Sequence, residues 1–282
     1  MPISDEAIVI NSGTCLHTEQ DAGLVNFNGF SFRPKYIDSA YVARRDWRGL
    51  TAAERRILRA PAHGGGNDHN TVYVGAIPEA LKECLLQTGV SDARNEEEVL
   101  ARFRGDEDRT KKLSAALSGF LTPLAGNKPF HFHCIGTNFP NVEMLSFDLS
   151  RLPKGYRPEE VRHLGMHNDG KSSMSVYTAH KFGNRISINL GKDSRYFLFI
   201  NLSLIQAMNL LKKKIDVVRE GVDFTNIRAF FFKHFPDYPV IRIRQDPYRY
   251  YIAPTYNFFH DGSTLGNTQL DITIIYFGNF QC

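Results

Sequence analysis

The sequence predicts a mainly β protein carrying helices (α+β), with a double-sheet jelly-roll core. Three observations lead there. Aromatic residues are abundant, with 21 Phe and 12 Tyr against one Trp, and aromatic and β-branched residues suit a pleated, half-buried surface. Helical periodicity is concentrated before residue 125, and short alternating apolar runs dominate after it. Helices first and many strands later indicate helices packed on a β core, and the strand count fits two stacked sheets. The chain of 282 residues is read as one domain. Residues 1–125 form a mixed, helical scaffold, and residues 126–282 form the jelly-roll core with a helical insert at about 203–234.

Residues 1–50 alternate short apolar runs with Gly, Asn and Pro, and read as short strands and loops, Leu24-Val25-Asn26-Phe27 among them. Thr51 and Glu54 have the spacing of a capping box and open a first helix that ends before Pro61. His63-Gly64-Gly65-Gly66-Asn67-Asp68-His69 reads as a solvated loop, with metal binding by His63, Asp68 and His69 as the alternative. Its His-Gly-Gly-Gly run is similar to an oxyanion loop of α/β-hydrolases. No Gly-x-Ser-x-Gly elbow accompanies it, which argues against a hydrolase. Helices are predicted from Pro78, near Asn95–Arg104, and over Asp106–Leu121, where Leu113, Ala116, Leu117 and Phe120 share a face and Pro123 ends the run.

After Gly126 the pattern becomes strand-like. Strands are expected at His131–His133, Val142–Leu149, Ser173–Ala179, Arg185–Leu190, Arg195–Leu202, Val240–Arg244, Tyr250–Pro254 and Leu270–Phe277. A helix is expected over Ser203–Val218 and a shorter one over Asn226–His234. His131 and His133 have no carboxylate at matching spacing and read as structural.

Composition limits the function. The net charge is +4, which leaves no nucleic-acid footprint. No apolar stretch reaches membrane-spanning length. Cys15, Cys84, Cys134 and Cys282 form no Cys-x-x-Cys pair, so they read as reduced thiols of a cytoplasmic protein rather than as a zinc site. The N-terminal Met1–Glu6 stretch has no basic n-region, and no signal peptide is expected. A small-molecule substrate is the expected partner, with neither nucleic acid nor membrane; the sequence sets no oligomeric state.

The chemistry centres on Gly165-Met166-His167-Asn168-Asp169-Gly170. On an extended strand, residues i and i+2 point to one face, so His167 and Asp169 can reach one point. His260, in Phe258-Phe259-His260-Asp261-Gly262, is the candidate third ligand. Two His and one carboxylate leave open metal positions and suit non-haem Fe(II) oxygenases.

These residues, with the strand Arg195–Asn201 and the closing strand Asp271–Ile275, resemble the Fe(II)/2-oxoglutarate-dependent dioxygenases over about residues 140–280. The resemblance implies a double-stranded β-helix, Fe(II) held by His167, Asp169 and His260, and 2-oxoglutarate and O2 as cosubstrates. It also implies hydroxylation, desaturation or ring formation rather than chlorination, because iron halogenases of the family lack the carboxylate that Asp169 supplies. The expected substrate is a small metabolite such as an amino acid or a natural-product intermediate. The family's late Arg, which grips the far carboxylate of 2-oxoglutarate, is missing, and its position falls nearest Gln269. Arg195 is the first replacement candidate, then Arg185, then Lys171, because a guanidinium recognises a carboxylate in bidentate fashion. A cupin-type metal enzyme that needs no 2-oxoglutarate and a non-catalytic jelly-roll binding protein are the alternative readings.

Overall fold

In the computed structural model, residues 7–58, 70–104, 106–148, 152, 155–170 and 173–281 are described. The strands run β1 (Ile8–Ile10), β2 (Thr14–Leu16), β3 (Val25–Phe27), β4 (Phe30–Phe32), β5 (Lys35–Tyr36), β6 (Tyr41–Ala43), β7 (Arg48–Gly49) and β8 (Tyr73–Ala76). They continue with β9 (His131–Asn138), β10 (Arg162–His163), β11 (Asn184–Asn189), β12 (Arg195–Phe199), β13 (Ile241–Gln245), β14 (Arg249–Ala253), β15 (His260–Ser263) and β16 (Asp271–Gly278). The helices are α1 (Ala52–Leu58), α2 (Glu79–Thr88), α3 (Glu96–Arg104), α4 (Glu107–Leu124), α5 (Leu204–Leu211) and α6 (Ile227–His234).

Two five-stranded sheets dominate, in the orders β15-β12-β13-β1-β7 and β8-β14-β11-β16-β9. Every pairing within them is antiparallel. Period-two alternation assigns each face. On β12, Phe197 and Phe199 turn inward and join Tyr251 and Ala253 of β14 in a cluster between the sheets; the Phe197 and Tyr251 rings stack at 4.1 Å. Leu198 and Ile200 turn outward into a core with α5 and α6, around Leu204, Met208, Phe231 and Phe232. On the second sheet, Ile186, Ile188, Ile252, Ile272 and Ile274 face Leu81, Leu85, Leu113, Leu117 and Leu121 of α2 and α4. The order is therefore helices, sheet, sheet, helices. The intervening space is apolar at one end and holds the polar inner faces of β11 and β16 at the other.

Local chemistry sets the helix starts. Thr51 and Glu54 exchange the bonds of a capping box: the Thr51 N–H donates to Glu54 Oε2 at 2.8 Å and the Glu54 N–H to Thr51 Oγ1 at 3.3 Å. Ser203 and Gln206 repeat the pattern at α5, and Asp106 caps α4. α4 runs one residue past Pro123, which sits inside its last turn, where the lost N–H costs one terminal hydrogen bond. α5 ends at Leu211, short of the expected Val218, and turns follow it.

Two expected strands are absent. Between Val142 and Asp148 only an isolated bridge, Phe147 to His163, forms. Polar side chains take the backbone donors instead: the Val142 N–H bonds Thr264 Oγ1, and the Leu145 and Ser146 N–H groups bond Asp261 Oδ1. Leu149 lies outside the described residues. Ser173–Ala179 is turn, because Ser175 draws its neighbours inward: its hydroxyl accepts from the Tyr177 N–H, and its carbonyl from the Thr178 and Ala179 N–H groups. Ser competes with extended backbone in this way. Strands β1, β7 and β8 from the first part of the chain complete the two sheets, which the sequence did not suggest.

No described helix is long and apolar enough to cross a membrane. Cys15, Cys84 and Cys134 are free thiols. The His63–His69 loop and Lys171 lie outside the described residues.

Candidate metal centre

His167, Asp169 and His260 converge, each offering one ligand atom, and these atoms lie within 4.8 Å of one another. The geometry follows from backbone pairing. Expected on a strand, His167 lies instead outside the ladders and forms an isolated antiparallel bridge with His260. The two residues exchange both backbone bonds, His167 N–H to His260 O at 3.0 Å and His260 N–H to His167 O at 2.7 Å. Directly opposed residues in an antiparallel pair present side chains to the same face, and the two rings sit 4.6 Å apart. Asp169 follows two residues on, its N–H held by Thr255 O at 3.1 Å. Gly165 starts this segment at φ +69° with its backbone against Tyr41, where a Cβ would lie 2.4 Å from Tyr41 O. Only glycine suits that turn.

Each imidazole is oriented from behind. His167 Nδ1 lies 3.0 Å from Gly165 O and His260 Nδ1 lies 3.4 Å from Phe258 O. A carbonyl can only accept, so Nδ1 carries a proton in both rings, and Nε2 is the nitrogen turned to the centre for a metal to take. Both His Nε2 to Asp169 separations are 3.6 Å, too long for hydrogen bonds. Phe197 and Phe258 pack around His260, with ring centroids 5.9 and 5.7 Å from it.

The electrostatics favour an ionised Asp169. Burial works to raise its pKa, but the Arg185 guanidinium and the two imidazoles outweigh it and hold the carboxyl well below the usual range. Arg185 Nη2 lies 2.6 Å from Asp169 Oδ2. That contact has ion-pair distance without hydrogen-bond direction, since Asp169 Oδ2 has no hydrogen-bond partner. Burial pushes the His260 pKa down. At His167 burial also opposes the charge, but the Asp169 and Asp261 carboxylates outweigh it and the net shift is upward.

A cavity of about 910 Å³ opens over the three residues. Arg185, Arg195, Tyr251, Thr273 and Ile275 line it, with Leu145, Phe147 and Phe224 among its apolar walls. Arg195 is buried, and its Nε lies 3.1 Å from Asp271 Oδ1. Asp271 Oδ2 in turn accepts from Asn138 at 2.7 Å. Gln269 stands away from the cavity, exposed, with its backbone N–H bonded to Asp193. His133 lines the cavity and His131 does not; each packs on Phe277.

Sequence reasoning passed over Asp261. It is fully buried, and its Oδ1 accepts from the Leu145, Ser146 and Gly262 N–H groups and the Ser146 hydroxyl. Its position beside His260 was the only available signal.

The donor set fits a divalent transition metal: two imidazole Nε2 nitrogens and one carboxylate face one point, with no hydrogen bonds among them. No protein-family model matches the chain, and no curated protein does. Among solved structures the chain is similar to the Kdo hydroxylase KdoO, described as a non-haem Fe(II) α-ketoglutarate-dependent dioxygenase. The KdoO structure with cobalt(II) aligns at a TM-score of 0.38 and the one with succinate and Fe(III) at 0.39. Both are 12% identical, and the match covers 77% of this chain and 81% of that chain. A likeness this shallow assigns neither a family nor a substrate.

Proposed function

We propose that this chain is an Fe(II)- and 2-oxoglutarate-dependent oxygenase on a double-stranded β-helix, oxidising a small organic substrate. One observation carries the reading. Two imidazole Nε2 atoms and an ionised carboxylate face one another without hydrogen bonds, beneath a cavity of about 910 Å³ that Arg185, Arg195 and Arg228 also line. The fold supports it as well. From β11 onward the chain alternates between the two sheets, through β12, β14, β15 and β16, with β13 following β12 in the same sheet. Such alternation is what a double-stranded β-helix requires; His260 opens β15, and His167 and Asp169 lie on the segment bridged to it.

In this reading His167, Asp169 and His260 hold the metal. When bound, Fe(II) with 2-oxoglutarate and O2 supplies oxidative decarboxylation to succinate coupled to attack on a substrate C–H bond. The residues of the chain do the rest. Asp169 supplies one negative charge, and Arg185 keeps it ionised and turned toward the rings. The carbonyls of Gly165 and Phe258 fix the imidazole tautomers. Arg195 is the anchor for the far carboxylate of the cosubstrate: Asp271 lies at ion-pair distance from its Nε, without a hydrogen bond, and a carboxylate can take its two terminal nitrogens. Gly262 leaves room for that guanidinium, since a Cβ there would lie 2.9 Å from Arg195 Nη2. Leu145, Phe147 and Phe224 exclude water from the reacting carbon.

Anaerobic addition of Fe(II) and then 2-oxoglutarate tests this. The expected result is the weak visible charge-transfer band of the chelate. Iron binding with no band at saturating 2-oxoglutarate would overturn the cosubstrate and point to a metal enzyme of cupin type.

A further inference from the structure

A second cavity, of about 650 Å³, adjoins the first. Asn138, Leu145 and Phe147 line both, so the two share a wall. The Leu145 side chain also packs at Gly262, two residues from His260. The second cavity has a different character. Phe27, Phe30, Phe32, Phe139, Phe147 and Tyr156 line it. The rings of Phe27, Phe30 and Phe32 meet Phe139 edge to face, at 6.3, 5.7 and 5.3 Å, and hold the β3–β4 hairpin over the cavity. Its charged lining, Arg94, Glu96 and Glu97, is exposed and marks the solvent side. A void of this size among aromatic side chains forgoes their dispersion contacts unless something fills it, and pockets of a few hundred Å³ with such walls take organic ligands.

We infer that this aromatic cavity is a substrate subsite, holding a ring-bearing apolar part of the molecule whose reacting carbon lies at the metal centre. The inference rests on the oxygenase reading and narrows it, from small organic substrates in general to those with a polar or reactive end and an aromatic end. The aromatic end passes Leu145 and Phe147 to lie among Phe30, Phe32 and Phe139. Offset or edge-on packing against several rings favours an aromatic group over a plain acyl chain.

N-Phenyl-1-naphthylamine, a neutral fluorophore that brightens in apolar surroundings, serves as the probe. The wild-type protein should bind it saturably. Phe30 is 47% exposed, so Phe30→Asp places a carboxylate at the cavity without disturbing the core. It should weaken binding at least ~tenfold. Phe132→Asp, at an exposed phenylalanine outside both cavities, should leave binding unchanged. Mn(II) held by His167, Asp169 and His260 should broaden the proton resonances of the bound probe, and His167→Ala should abolish the broadening. No saturable binding, or equal binding by Phe30→Asp and Phe132→Asp, overturns the inference. Bound probe that is not broadened in protein shown by electron paramagnetic resonance to hold Mn(II) also overturns it and leaves the oxygenase reading standing. Failure to bind Mn(II) at all removes that reading, and the subsite with it.

Discussion

Replacing Asp261 with alanine should cost about 2–4 kcal/mol of stability, although the residue is outside the donor set. The side chain is fully buried, and its Oδ1 accepts from Leu145 N–H at 3.2 Å, Ser146 N–H at 3.0 Å, Ser146 Oγ–H at 2.9 Å and Gly262 N–H at 2.7 Å. Two of these donors have alternatives. Leu145 N–H also reaches Gly262 O at 3.1 Å, and Ser146 lines the cavity. The Ser146 and Gly262 N–H groups lose their acceptor outright. A hydrogen bond to a charged group contributes about 1.5–3 kcal/mol, and partial exposure of these two donors discounts the pair to the range given. Asp261→Asn retains an oxygen acceptor and should lose about half as much. Urea unfolding measures both variants, with the midpoint moving and the slope unchanged. A loss below about 0.5 kcal/mol for Asp261→Ala, the range of an ordinary surface substitution, would refute the idea that this carboxylate fastens the Val142–Asp148 segment to the His260 strand.

Arg195→Leu should raise the apparent KM for 2-oxoglutarate at least ~tenfold while Fe(II) affinity holds, since one bidentate charged contact is lost; an unchanged KM removes Arg195 as the anchor. Gly165→Ala forces a Cβ against Tyr41 O at positive φ and should cost more than about 2 kcal/mol by thermal unfolding. It should also weaken metal binding, because the Gly165 carbonyl holds His167 Nδ1; wild-type behaviour on both counts would contradict this. The Arg48 guanidinium and the Thr51 N–H and hydroxyl lower the Glu54 carboxyl to about 2. Because the folded pKa is depressed, this support for the α1 start is full above the ordinary carboxyl value and is lost as pH falls toward 2. The Glu54 side-chain resonance should therefore titrate near pH 2, and a midpoint at its ordinary value would contradict the capping arrangement.

The convergence of His167 and Asp169 was legible in the sequence because period-two geometry is local: side chains two residues apart share a face on an extended backbone. His260 entered as the late His that completes a two-His, one-carboxylate set, and its backbone pairing with His167 is visible only in the fold. Arg185 entered as a carboxylate anchor, yet its nearest partner is Asp169 itself, a contact made across β11 that no spacing encodes. The Thr51–Glu54 capping signal placed the start of α1, since the cap is a contact between near neighbours; the expected starts at Asp106 and Ser203 also coincide with caps. The expected strand at Val142–Leu149 failed for the opposite reason. Its backbone donors are taken by Thr264 and Asp261, residues more than a hundred positions away. β1, β7 and β8 fall within the stretch expected to be scaffold, because two to four residues carry too little pattern to announce membership of a distant sheet. The Phe27, Phe30 and Phe32 wall needs the hairpin to fold over Phe139 before it becomes a cavity.

The most direct test is anaerobic calorimetric titration of the metal-free protein with Fe(II), repeated on His167→Ala, Asp169→Ala and His260→Ala. One saturable site per chain in the wild type, weakened at least ~100-fold in each variant while circular dichroism stays native, is the predicted result. Wild-type affinity retained in any one of the three, or no saturable site at all, would contradict a metal centre built from these residues.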